Sequence, residues 1–179
     1  MAQEIFIGSD HRGYELKNQI VAALSGAAQL PDENIESASD FTVSDLGPFS
    51  YNPDDDYNDA AVLVAQAVRE HPGSMGILVC GSAHGVAIQA NRIRGVRAIA
   101  AYTPALAEIG RLHNDANVLC LSADFTGKVT DDSVKNPSAS QVSLIKDIIT
   151  TFLDTKFSGE ERHARRNRRL DDEINGGIS

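Results

Sequence analysis

The run Met75-Gly76-Ile77-Leu78-Val79-Cys80 holds six residues with no charged side chain, and it narrows the possible folds more than any other stretch. A strand with one wet face alternates polar and apolar residues, whereas a short unbroken apolar run is a strand covered on both faces. Such cover belongs to the centre of a parallel sheet, where crossover connections lay helices on each side. The flanking sequence supplies partners of both kinds. Ile5-Phe6-Ile7-Gly8-Ser9, Thr42-Val43-Ser44-Asp45, Ala98–Ala101 and Val118–Leu121 read as further strands. Between them lie helical patterns over Gly13–Leu24, Tyr57–Glu70, Gly85–Arg92 and Pro104–Leu112, and two more follow over Ser140–Lys156 and Gly159–Glu173. Leu16, Ile20 and Leu24 recur at helical spacing, as do Ala61, Val64, Ala65 and Val68. Strands alternating with helices predict an α/β fold, a five-stranded parallel sheet with about six helices in a single domain over residues 1–179. The stretches Ser25–Phe41, Gly47–Asp56 and Asp124–Ser138 read as polar loops.

Composition excludes several classes of function. No apolar run approaches the roughly 20 residues of a membrane-spanning helix, and the N-terminus lacks the basic and apolar pattern of a secretory signal. The two cysteines, Cys80 and Cys120, lie inside strand-like runs; a disulfide scaffold is not expected, and a cytoplasmic setting is. A net charge of −9 argues against nucleic acid as a partner. Against that acidity, Arg162, Arg165, Arg166, Arg168 and Arg169 crowd one helix near the C-terminus. The cluster is either a solvated helix face or a seat for a phosphorylated ligand, whose oxygens match paired guanidinium donors.

Ligands of open parallel sheets bind beyond the carboxyl ends of the strands. The residues there are Asp10 and His11 after the first strand, Cys80 to Gly85 after the third, and the vicinity of Tyr102 after the fourth. Gly81 and Gly85 let the backbone turn sharply, so that several N–H groups converge and could hold a phosphate or a developing oxyanion. A thiol at the start of the following helix has a lowered pKa in many proteins and serves as base or nucleophile; a buried structural cysteine is the other reading. Asp10 either meets a ligand or caps the next helix. His113 either acts in proton transfer or complements the negative end of its helix. All these positions are expected on one edge of the sheet.

Gly8-Ser9-Asp10-His11-Arg12-Gly13-Tyr14-Glu15-Leu16-Lys17 resembles the opening block of the ribose-5-phosphate isomerase B family. Asp56-Tyr57, the turn Cys80-Gly81-Ser82-Ala83-His84-Gly85 with Ala90-Asn91-Arg92 and Gly95-Val96-Arg97-Ala98, His113-Asn114-Asp115-Ala116-Asn117-Val118-Leu119 and Arg162-His163-Ala164-Arg165-Arg166 resemble its later blocks, in the same order. The resemblance implies a Rossmann-like or flavodoxin-like three-layer sandwich with a C-terminal helical extension, the basic helix and tail from about residue 159. It implies a homodimer with shared active sites, a phosphorylated sugar as substrate, and no metal or redox cofactor. It assigns Cys80 as the base that takes the proton from carbon 2 and the amides of Gly81, Ala83, His84 and Gly85 to the enediolate. It gives Ser82 an orienting role, His113 ring opening, and Tyr57, Asp10 and Asn114 contact with the sugar. His11, Arg162 and Arg166 are its phosphate ligands, the arginines reaching across from the partner.

Three departures accompany the resemblance. Asp124 stands where many relatives carry a phosphate-binding arginine, His84 where they carry a smaller or uncharged residue, and Ser25–Phe41 looks like an insertion. Asp124 motivates an alternative within the same chemistry, isomerisation of a six-carbon sugar such as allose 6-phosphate or galactose 6-phosphate. A cysteine-nucleophile hydrolase and a non-catalytic phosphosugar-binding protein are the alternatives outside it.

Overall fold

The computed structural model describes residues 3–26, 41–124 and 138–173. The insertion read between Ser25 and Phe41, and most of the polar stretch from Asp124 to Ser138, lie outside them. The elements in chain order are β1 (Gln3–Ser9), α1 (Tyr14–Leu24), β2 (Phe41–Asp45), α2 (Tyr57–Glu70), β3 (Met75–Cys80), α3 (His84–Ala90), β4 (Ala98–Ala100), α4 (Pro104–Asn114), β5 (Val118–Ser122), α5 (Ala139–Asp154) and α6 (Glu161–Glu173). Each expected strand and helix is present, with ends moved by at most a few residues. All pairings are parallel, in the order β2-β1-β3-β5-β4.

With that order, crossover handedness decides which face of the sheet each helix covers. Right-handed β-α-β units that step in opposite directions along the sheet put their helices on opposite faces. α2 and α3 carry the chain one way and pack on Phe6, Leu78, Cys80, Val118 and Cys120. α1 and α4 carry it back, and with α5 they cover Ile5, Ile7, Ile77, Val79, Leu119 and Leu121. The result is the expected three-layer sandwich, with β5 inserted between β3 and the three-residue edge strand β4. Every residue of β3 and β5 is buried, and at about 1.5–3 kcal/mol for each large apolar side chain the central strands supply much of the driving force.

Two local devices set the ligand edge. Lys17, fully buried, extends to Asp45 Oδ2 at 2.6 Å, and Asp45 Oδ1 accepts the Gly47 N–H at 2.9 Å. This fixes the exit of β2 and the start of the loop that returns to α2. Thr103 caps α4 by accepting the Leu106 N–H, with Pro104 at the first helical position.

Candidate active site

β1 points one way in the sheet order to β2 and β3 the other way to β4, so the crevice between their carboxyl ends is the topological switch point. Asp10 to Gly13 fill one lip. The Asp10 N–H donates to Val79 O at 3.2 Å, and Asp10 Oδ1 accepts the Gly13 N–H at 2.9 Å. Gly13 is required here, because a Cβ would lie 2.5 Å from Val79 O. Asp10 thus caps its own turn while lying at the crevice. Burial pushes its carboxyl up; the Gly13 N–H and His11 pull it back, Asp55 pushes it further up, and the Arg12 N–H lowers it. His11 is oriented by Asp55, whose Oδ1 takes the His11 backbone N–H at 2.9 Å and stands 2.7 Å from Nδ1. Asp55 escaped the sequence reading. Its only trace there was the run Asp54-Asp55-Asp56, which marks a loop equally well.

The turn after β3 fills the other lip. Cys80 is 3% exposed and Ala83 fully buried, while Ser82 and His84 face solvent. Ala83 holds φ 66° and ψ −17°, a left-handed conformation that costs an L-residue about 1 kcal/mol or more. The N–H groups of Val86, Ser82 and Ala83 face the Cys80 sulfur and lower its pKa. Burial outweighs them, and with the nearby Asp10 it holds the thiol above its ordinary value. The expected lowered pKa is therefore corrected: with α3 only seven residues long and the sulfur desolvated, burial dominates. Tyr57 lies across Gly85 so closely that a Cβ there would meet its ring at 2.8 Å. The Ser82 hydroxyl accepts the His84 N–H at 3.4 Å, and His84 Nδ1 lies 2.7 Å from the Tyr102 hydroxyl.

Asp124 is not a bare carboxylate. Arg12 donates to its Oδ2 from Nε at 2.9 Å and from Nη2 at 2.5 Å, both side chains being largely buried. The pair sits on Gly81, where a Cβ would meet both groups below 3 Å. Arg12 appeared in the sequence only as part of a family block, so nothing there singled it out.

The remaining expected residues are elsewhere. α4 begins beside the carboxyl end of β4 and runs back, so its last residues reach the amino edge of the sheet. Arg97, just before β4, donates to Asn114 O at 2.8 Å and to Asp115 O. Eleven helical residues span about 16 Å, which separates His113 and Asn114 from Cys80 in the same chain. α6 packs at that far edge. The His163 ring lies 4.2 Å from that of His113, the Asn167 amide donates to His113 O at 3.3 Å, and Arg97 holds Asp171. Burial, with His113 and Arg162 beside it, pushes the His163 imidazole below its ordinary pKa. Arg162 pairs with Glu160 at 2.8 Å and Arg168 with Glu161 at 2.7 Å, both exposed, and Arg166 is exposed alongside. The expectation that His113 shares the Cys80 edge is corrected. A crossover helix runs antiparallel to its strands, so what closes the helix lies opposite what closes the strand.

Among the described residues no three His, Cys, Asp or Glu side chains are grouped to hold a metal ion, and no helix is long and apolar enough to cross a membrane. The fold and this edge define a parallel α/β protein with a site for acid–base chemistry on a small polar ligand: a buried thiol among inward N–H groups, a buried carboxyl and an oriented imidazole. Comparison with known proteins specifies it further. The chain belongs to the family described as Ribose/Galactose Isomerase, whose model matches residues 5–170. It is 36% identical over 166 residues to a probable ribose-5-phosphate isomerase B of Mycoplasma pneumoniae, covering 93% of this chain and 91% of that one. It is 32% identical to the ribose-5-phosphate isomerase B of Mycolicibacterium paratuberculosis over 90% and 86% of the two chains. Among solved structures, the Mycoplasma genitalium ribose-5-phosphate isomerase B with bound ribulose-5-phosphate superposes with a TM-score of 0.78 at 34% identity, over 99% of each chain. The Trypanosoma brucei type B enzyme gives 0.77 at 34% identity, over 96% of this chain and 99% of that one. The resemblance read from the sequence blocks is borne out.

Proposed function

We propose that the chain interconverts ribose 5-phosphate and ribulose 5-phosphate through an enediolate, with Cys80 as the base. The observation that carries this reading is the buried Cys80 sulfur, faced by backbone N–H groups and adjoining Asp10. Proton removal from a carbon beside a carbonyl needs a strong base and a place for the charge that forms. A thiol held above its ordinary pKa is sparsely ionised but strongly basic once ionised. As thiolate, Cys80 takes the proton from C2 of the open-chain aldose, and the electron pair moves to O1. The proton on O2 passes to O1, and Cys80 returns its proton to C1, giving the ketose. The amides between Gly81 and Gly85 hold the charged oxygen, Ser82 orients the reacting groups, and Asp10 and Tyr57 contact the sugar.

Phosphate anchoring and ring opening require a second copy of the chain in this reading. His11 lies on the Cys80 edge, whereas Arg162, Arg166, His113 and Asn114 lie at the far edge and serve the site of a partner in a homodimer. Charge supports the pentose over the six-carbon alternative. The case for a hexose rested on an uncompensated Asp124, and Arg12 compensates it. Ketose formation by the purified protein from ribose 5-phosphate, allose 6-phosphate and galactose 6-phosphate tests the assignment. Turnover of a hexose phosphate without the pentose overturns it. Cys80→Ala is expected to lower turnover about 10³-fold, within the range of general-base catalysis; undiminished turnover removes Cys80 as the base.

A further inference from the structure

The turn that carries Cys80 is held through its carbonyl oxygens, one after another. The Ala123 N–H donates to Cys80 O at 2.9 Å. The Ser122 hydroxyl and the Asp124 N–H donate to Gly81 O at 2.6 and 3.0 Å. The Tyr102 hydroxyl donates to Ser82 O at 2.8 Å. In a trans peptide the C=O and the next N–H point in opposite directions. Fixing Gly81 O therefore aims the Ser82 N–H, and fixing Ser82 O aims the Ala83 N–H. Both face the Cys80 sulfur.

The first two anchors come from β5 and the residues directly after it. Tyr102 comes from the end of β4 and holds the peptide that precedes Ala83, the one residue of the turn in the left-handed region without being glycine. Its backbone preference opposes the conformation it has, so the peptide depends on an outside hold; a flip would turn a carbonyl oxygen toward the sulfur in place of an N–H. His84 packs edge-on against Tyr102, with ring centroids 5.9 Å apart and an interplanar angle of 79°. The hydroxyl has a single proton. Given to Ser82 O, it leaves lone pairs for His84 Nδ1.

We propose that Tyr102 is a positioning residue for the Cys80 base, its hydroxyl locking the Ser82–Ala83 peptide with the N–H toward the sulfur while His84 keeps that hydroxyl in place. This deepens, and rests on, the reading of Cys80 as the proton-abstracting base. It also gives His84 a role that its neighbours in the turn do not share. Beyond burial, and among the described residues, Asp10 raises the pKa of the Cys80 thiol, and Cys80 in turn raises those of Tyr102 and Cys120.

The test is Tyr102→Phe, which keeps the ring and removes the hydroxyl. Its kcat is expected to fall about five- to tenfold, the worth of one hydrogen bond, with KM within about twofold. Without substrate, the pH profile for alkylation of Cys80 by iodoacetamide, located by peptide mass mapping, is expected to move up by roughly half a unit to one unit. His84→Leu is expected to move both readouts in the same direction by less, and His84→Gln, which retains a donor for the hydroxyl, to restore them. An unchanged alkylation profile in Tyr102→Phe overturns the proposal even if kcat falls, because Tyr102 would then act on the sugar. The profile is read without turnover, so loss of the Tyr102 hold is told apart from failure of the Cys80 assignment, which undiminished turnover of Cys80→Ala would report and which would overturn the proposal as well.

Discussion

Cys80→Ala and His113→Ala proteins are each expected to be inactive, and a mixture of the two to be active. The reason is distance. His113 closes α4 at the amino edge of the sheet, about 16 Å along the helix from the residues beside Cys80, farther than an imidazole reaches to a sugar held at its own chain's thiol. In a two-fold symmetric dimer each site would take Cys80 from one chain and His113 from the other. A mixed dimer then has one site lacking both groups and one site lacking neither. Random assortment makes half the dimers mixed, and half their sites are whole, so an equal mixture refolded together recovers about a quarter of wild-type turnover. Mixed dimers isolated through two different tags recover about half. The assay is ketose formation from ribose 5-phosphate, with each parent measured alone at the same total concentration. Activity of the mixture no greater than the sum of its parents would refute the shared site, as would a His113→Ala protein with full turnover.

Three further perturbations probe the Cys80 edge. The thiol is held above its ordinary pKa, so the thiolate and kcat/KM are expected to rise about tenfold per pH unit through the neutral and mildly alkaline range, without a plateau near neutrality. Asp10→Asn keeps the acceptor for the Gly13 N–H but removes a charge beside the sulfur, so alkylation of Cys80 should shift to lower pH. The same variant has a stability signature. Asp10's carboxyl is raised in the folded state, so its contribution is full at low pH and is lost as pH rises through the folded value. Thermal melts should therefore show Asp10→Asn at least as stable as wild type at pH 7, and relatively less favoured in acid; a clear loss of stability at pH 7 refutes the burial argument. Gly13→Ala would place a Cβ 2.5 Å from Val79 O, where the obstacle is strand backbone. Overpacking of this kind costs about 1–3 kcal/mol, a fall in Tm of roughly 2–12 °C for a domain of this size. An unchanged melting curve would show that the Asp10–Gly13 turn is looser than its contacts imply.

The elements of the fold were legible because the signals for them are local. The apolar run of β3, the stripe of α2 and the Thr103-Pro104 start of α4 each specify their own structure. The sheet order was not legible, since nothing in β4 or β5 alone says that the later strand enters between β3 and the earlier one. The Cys80 turn and Asp10 were readable from strand ends, while their partners were not. Asp55 and Arg12 are separated from what they hold by 44 and 112 residues and look in sequence like ordinary loop or family-block residues; Tyr102 was legible as a strand-end neighbour, but its hold on Ser82, 20 residues away, was not. The misplacement of His113 has another origin. The direction of a crossover helix was available from the sequence reading itself: a helix leaving the carboxyl edge must end at the amino edge.

That same reversal bears on how so acidic a chain handles a phosphate dianion. On the Cys80 edge, Asp124 faces Arg12, Asp55 faces His11, and Asp10 accepts the Gly13 N–H. Three carboxylates against one guanidinium and one imidazole leave this set of groups with no positive charge in excess to hold two negative charges. The excess lies on α6, where Arg162 and Arg168 pair with exposed glutamates and Arg165 and Arg166 are exposed. Exposed pairs of this kind are worth at most about 1 kcal/mol, so a phosphate with matched oxygens competes for those guanidinium groups at small cost. In the proposed function a single chain therefore carries the base and the phosphate clamp at opposite ends of its sheet. Bringing them together is what the proposed two-fold pairing accomplishes, and it does so twice.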